Sequence, residues 1–96
     1  MTGTDLTITI QGTPNPHAAK FVLDRPVPGD GSRSYFDAES AAVDPLASRL
    51  FQLEGVRALL LVDNFVTVTK TEDAEWDRLV QDVQAAIRVE LSEGTG

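Results

Sequence analysis

The sequence predicts an α+β domain: a two-layer sandwich whose mainly antiparallel sheet, in the order β-β-(β)-α-β-β-α, carries two helices on one face. Three observations lead there. Two apolar runs, Val56–Val62 and Phe65–Lys70, are separated only by Asp63-Asn64, the spacing of a tight hairpin. Leu6–Ile10 alternates apolar and polar residues, as a half-buried strand does. Two later sets of apolar residues recur at three- and four-residue steps, which places each on one side of a helix.

From the start of the chain, Leu6-Thr7-Ile8-Thr9-Ile10 is rich in β-branched residues and reads as the first strand. Gly12-Thr13-Pro14-Asn15-Pro16 breaks it. Proline has no N–H to donate and biases the preceding residue toward an extended conformation, so this loop is stiff. Ala19–Leu23 reads as the second strand, ended by Asp24-Arg25-Pro26, and Pro28–Ser32 is a loop by composition. Arg33–Phe36 is a candidate short strand. Asp44 followed by Pro45 is an N-cap with proline at the first helical position. Leu46, Leu50 and Leu53 then share a face, flanked by Ala47 and Phe51, and Gly55 marks the stop of a helix of about nine residues. Asp63 and Asn64 both tolerate the positive φ that a two-residue hairpin loop demands. Thr71 or Asp73 is expected to cap the last helix, whose stripe runs through Trp76, Leu79, Val80, Val83, Ile87 and Leu91. Acids crowd its first turn, as the helix dipole favours. The reading is one domain over residues 1–91, with Ser92–Gly96 a frayed tail.

The 96 residues suffice for one domain with a modest core, and 42% apolar with 24% charged residues is a globular composition. No run of 18 apolar residues suggests a membrane span. Met1–Asp5 has neither the basic nor the apolar part of a secretory signal, so a cytoplasmic location is expected. With no cysteine, the chain offers no disulfide framework and no thiolate chemistry. A net charge of −7 argues against nucleic acid and anionic membranes as partners. From Thr71 onward seven acids face two arginines; this is either a solvated helix face or a surface for basic partners.

Catalytic chemistry has little to work with. His17 is the lone histidine, and as a general base it would act alone. None of the serines sits in a G-x-S-x-G setting. One histidine and no cysteine leave no donor set for structural zinc, and Asp24–Asp30 does not follow the EF-hand pattern. Glu72, Asp73, Glu75 and Asp77 could hold calcium weakly, but as first-turn acids they are already accounted for. Two segments could take an anion: Gly29–Ser32 with Arg25 and Arg33, and Gly12–Lys20; neither is a phosphate-loop motif. Trp76 opens an apolar stripe and reads as core.

Thr13-Pro14-Asn15-Pro16 followed by Lys20-Phe21-Val22-Leu23, then Gly31-Ser32 and Tyr35-Phe36, resembles the N-terminal domain of the Nfu (NifU-like) iron–sulfur scaffold proteins. So does Pro45-Leu46-Ala47 leading to Leu50-Phe51 and Gly55-Val56, and so does Asp63–Lys70 with Trp76 behind it. The pieces keep the family's order from about Thr7 to Leu91. The resemblance implies the same α+β fold and a role in iron–sulfur cluster assembly or delivery. In the family the cluster is carried by a second, C-terminal domain with a C-x-x-C pair. These 96 residues hold no cysteine, so cluster binding is not carried over. Nor is any catalytic residue, metal site or cofactor.

Four readings follow. The first is a protein-interaction module whose partners are iron–sulfur assembly proteins or their clients. Its contact surface would be Thr13, Pro14, Asn15, Pro16, Lys20 and Phe21, or the hairpin end at Asp63, Asn64 and Phe65. The second is an anion- or phosphopeptide-binding module, which needs Lys20, Arg25 and Arg33 to converge. A small enzyme would rest on His17 alone. A structural domain would self-associate through a strand edge, although a monomer is expected.

Overall fold

The computed structural model describes residues 6–27, 29 and 31–93. Five strands share one sheet: β1 Ile8–Gly12, β2 Ala18–Leu23, β3 Arg33–Tyr35, β4 Val56–Val62 and β5 Phe65–Lys70. Their spatial order is β1-β2-β5-β4-β3, and every neighbouring pair is antiparallel. The β4–β5 hairpin is thus central, with β5 inserted against β2 and the short β3 at the far edge. Three helices follow from the same sequence: α1 Ala38–Ala41, α2 Pro45–Phe51 and α3 Trp76–Glu93.

Successive side chains on a strand point to opposite faces, so the register assigns every residue to a side. Phe21 pairs with Val66, and Val66 with Leu61; Ala19 pairs with Val68, and Val68 with Leu59. All six are buried, and with Leu23 they form the floor of the core. Ala41, Leu46, Ala47 and Leu50 from the first two helices and Leu79, Val83, Ala86 and Ile87 from α3 belong to that same cluster. All three helices therefore cover one face. An ion pair at 2.8 Å between Arg49 Nε and Glu90 Oε1 ties α2 to α3.

Several boundaries differ from the sequence reading. β1 starts two residues later than the alternation suggests, and Ile10, opposite Phe21 on the core side, stays 40% exposed at the sheet edge. Leu6 is buried ahead of the strand, where its carbonyl accepts from Arg88. α1 went unread because a single turn shows no periodicity; it is set by Asp37, whose carboxylate accepts the Ser40 N–H at 2.7 Å. Asp44 caps α2 as expected, accepting from the N–H groups of Leu46 and Ala47, but the helix ends at Phe51. Neither Thr71 nor Asp73 caps α3. They form a separate turn, in which the Ala74 N–H reaches the Thr71 carbonyl and the Thr71 hydroxyl reaches Asp73. The helix begins one turn later, with Arg78 and Leu79 N–H groups on the Glu75 carbonyl. Ser92 and Glu93, expected in the tail, continue α3; residues 94–96 and Met1–Asp5 lie outside the described residues.

Gly55 does more than end a helix. Its φ of +101° is a left-handed conformation, and a Cβ there would lie 2.8 Å from that of Ala74. Its carbonyl accepts the Thr71 N–H, closing the open end of the hairpin, while the extra residue Arg57 makes a β-bulge at the start of β4. At the closed end only Asp63, with φ 48°, takes a positive φ among the described non-glycine residues; Asn64 does not.

Candidate functional site

The Thr13–His17 loop joining β1 to β2 is built from the polar side chains that its sequence supplies. The Thr13 hydroxyl accepts the Asn15 N–H at 3.1 Å and lies within hydrogen-bond distance of the Asn15 and Ala18 carbonyls. Asn15 Oδ1 accepts the His17 N–H at 3.0 Å. These local turns replace the ladder bonds that Pro14 and Pro16 cannot make. Two distant elements then fasten the loop from outside. The Lys70 N–H donates to the His17 carbonyl, and the Trp76 indole Nε1–H donates to the Pro16 carbonyl at 3.0 Å. Trp76 is thus only partly a core residue: its ring packs against the core while its polar edge holds the loop.

The loop borders the sheet face that no described helix covers. The register lays that face out in rows. Val22, Phe65 and Val62 form one row; Lys20, Thr67 and Leu60 the next; Ala18, Thr69 and Ala58 the third, beside the loop. All nine are half-buried by their neighbours, and none belongs to the core cluster or packs against it. The Lys20 ammonium lies 4.1 Å from the centroid of the Phe65 ring, a cation–π contact that pins the charge in the middle of the face. At the upper end Asn64 Nδ2 donates to the Leu23 carbonyl at 3.2 Å, and the Leu23 N–H returns a bond to the Asn64 carbonyl at 2.7 Å.

The structure therefore brings together Thr13, Pro14, Asn15 and Pro16 in one loop, and Lys20 with Phe65 on the adjoining face. Asn64 works as a clamp between the hairpin and β2. Phe21 must be removed from the proposed contact surface: it is 0% exposed, on the core side of β2. One position along a strand is enough to send a side chain to the wrong layer. Missed in the sequence were Val22, Leu60 and Val62. A signal was present, since Ala58–Val62 is a continuous apolar run where a sheet with one wet face should alternate.

Lys20, Arg25 and Arg33 do not converge. Lys20 is on β2 and Arg33 on β3, with β5 and β4 between them, and Arg33 pairs in register with core-facing Leu61 while Lys20 points to the open face. Arg33 instead forms an ion pair with Asp44, which is 5% exposed and also lies 3.3 Å from the Tyr35 hydroxyl. Arg25 pairs with its neighbour Asp24 at 2.9 Å, which holds the Asp24 carboxyl below its ordinary range. The Ser40 N–H does the same for Asp37. Asp73, Glu75 and Asp82 line an open cleft of about 620 Å³ with Glu54, Gly55 and Arg78. Among the described residues, no three histidine or carboxylate side chains gather closely enough to hold a metal ion.

Fold and surface together define an open-faced α+β sandwich with a braced proline loop at one end of its bare face. The chain belongs to the family described as scaffold protein Nfu/NifU N terminal, whose model matches residues 8–94. It is 38% identical over 87 residues to the mitochondrial NifU-like protein 5 of Arabidopsis thaliana, covering 91% of this chain and 32% of that protein. It is 37% identical over 81 residues to the human mitochondrial NFU1 iron-sulfur cluster scaffold homolog, covering 83% and 32%. The chain thus spans about a third of the length of the curated relatives it matches. The crystal structure of SAV1430 from Staphylococcus aureus superposes with a TM-score of 0.72 at 27% identity, covering 83% of this chain and 96% of that one. A NifU-like protein from Saccharomyces cerevisiae shares the fold, with a TM-score of 0.78 at 24% identity over 97% and 85%.

Proposed function

We propose that this domain is a recognition module of iron–sulfur cluster assembly, docking cluster-bearing scaffold proteins or the clients that receive a cluster, without holding the cluster or catalysing a reaction itself. One observation supports this above the others: a half-apolar sheet face that no described helix covers adjoins a proline loop held by hydrogen bonds of Thr13, Asn15, Lys70 and Trp76. A preorganised loop beside an apolar face loses little entropy on binding, which suits recognition. The relatives' printed role as iron-sulfur cluster scaffold homologs supplies the class of partner. The contact surface on this reading is Thr13–Pro16 with Lys20 and Phe65. An anion site has no such support, because Arg33 and Arg25 are engaged by carboxylates on other parts of the fold.

The test is calorimetric titration of the chain with the purified cluster scaffold of its host, with and without a loaded cluster. Saturable binding that weakens at least tenfold in the T13A/N15A variant supports the reading. No binding to either form, with the chain folded, overturns it.

A further inference from the structure

The three central rows of the open face carry one charge, and its sign is opposite to that of the protein. The net charge of the chain is −7, yet the nine side chains in the three central rows of the face include no acid and a single base, Lys20. Among the described residues no carboxylate forms an ion pair with Lys20: the three ion pairs there belong to Arg25, Arg33 and Arg49. Among the described residues it is the Phe65 ring that its ammonium contacts. Lys20 is a half-buried residue with Val22, Phe65 and Thr67 as its neighbours on the face, and no described carboxylate balances its charge. A carboxylate brought over it in a complex would therefore meet an opposite charge set among apolar side chains.

The rows also grade in size. Val22, Phe65 and Val62 stand at the hairpin end, whereas Ala18, Thr69 and Ala58 leave lower ground beside the Thr13–His17 loop. A bulky apolar side chain fits over the small row, and a carboxylate one helical turn away fits over Lys20. The same geometry disfavours a second copy as occupant. A two-fold axis through the middle of the face would set Lys20 against Lys20.

From this charge complementarity we infer that the open face docks an acidic amphipathic helix of a partner protein, with a partner carboxylate on Lys20 and an apolar side chain over Ala18, Thr69 and Ala58. The inference deepens the recognition reading and rests on it. It makes a prediction that runs against the overall charge: an acidic chain prefers an acidic ligand at this one face.

Two synthetic 16-residue helical peptides test it, both with a leucine stripe, one flanked by glutamates and the other by lysines. Each is titrated into methyl-labelled chain at physiological salt, where distant charges are screened. Affinity at the face is read from the methyls of Val22, Leu60 and Val62. The expected result is about fivefold tighter binding of the glutamate peptide. K20E should invert the preference and K20M should level it; K20M keeps a long apolar stem and guards against a folding defect. Equal affinities in the wild type, a preference for the lysine peptide, or dimerisation of the chain through these methyls would overturn the inference. The host scaffold separates it from the broader reading. If the scaffold binds wild type and K20E alike, the recognition role stands and the acidic-helix inference falls. If the peptides behave as expected and no cluster-assembly protein binds, the inference stands and that role falls.

Discussion

The two faces of the sheet both carry large apolar side chains and have different duties. Phe21 and Phe65 lie within one strand pairing of each other, Phe21 opposite Val66 and Phe65 opposite Val22. Phe21 is fully buried beneath the helices, whereas Phe65 is half-buried under a lysine. On the covered face Phe21, Leu23, Leu59, Leu61, Val66 and Val68 are buried in one cluster with residues of the helices. On the open face Val22, Leu60, Val62 and Phe65 stay only half-buried. Side-chain type therefore does not distinguish a core position from a contact position here; the layer does.

That contrast can be broken by substitution. The largest effect is expected from Phe21→Ala, which should cost about 3–5 kcal/mol in urea unfolding by leaving a cavity under the helices. Phe65→Ala should cost about 1 kcal/mol or less, since it removes a half-exposed ring and a cation–π contact. Equal costs would mean that the two faces are not different in kind. Next is Asp44→Ala, expected to cost about 3 kcal/mol because it removes both the α2 cap and the ion pair with Arg33. The double variant D44A/R33M should lose less than the sum of the singles.

A smaller effect sharpens the account of the loop. Trp76→Phe keeps an aromatic ring, smaller than the indole, and deletes the Nε1–H bond to Pro16. It should cost about 1 kcal/mol, with amide hydrogen exchange speeding up at Asn15 and His17 and not in β4. The smallest is electrostatic. The folded Asp37 and Asp24 carboxyls titrate below their unfolded values, so their contribution is present above about pH 4 and is lost as pH falls through the lowered folded values. D37N should flatten that acid limb of a stability-versus-pH curve while leaving the neutral region nearly unchanged.

Much of this architecture was legible in the residues. The hairpin, the α2 cap and the α3 stripe come from local signals that nothing in the tertiary structure overrides: Asp63-Asn64 between apolar runs, Asp44-Pro45, and apolar residues at helical steps. What escaped depends on distant contacts. The face to which Phe21 belongs is set by register with β5, more than forty positions away. The convergence asked of Lys20, Arg25 and Arg33 failed because strand order puts β5 and β4 between β2 and β3. Trp76 was legible as apolar but not as the fastening of a loop sixty residues earlier. Thr13–Pro16 could be recognised as stiff, since that stiffness is local, while the bare face beside it exists only once the helices have all gone to the other side.

The most direct test of the central claim is a methyl-resolved titration of the chain with the cluster scaffold of its host. The account predicts shifts at the Val22, Leu60 and Val62 methyls, with those of Leu59, Leu61 and Val66 on the covered face unmoved. Shifts centred on the methyls of α3, or spread evenly over both faces, would contradict it.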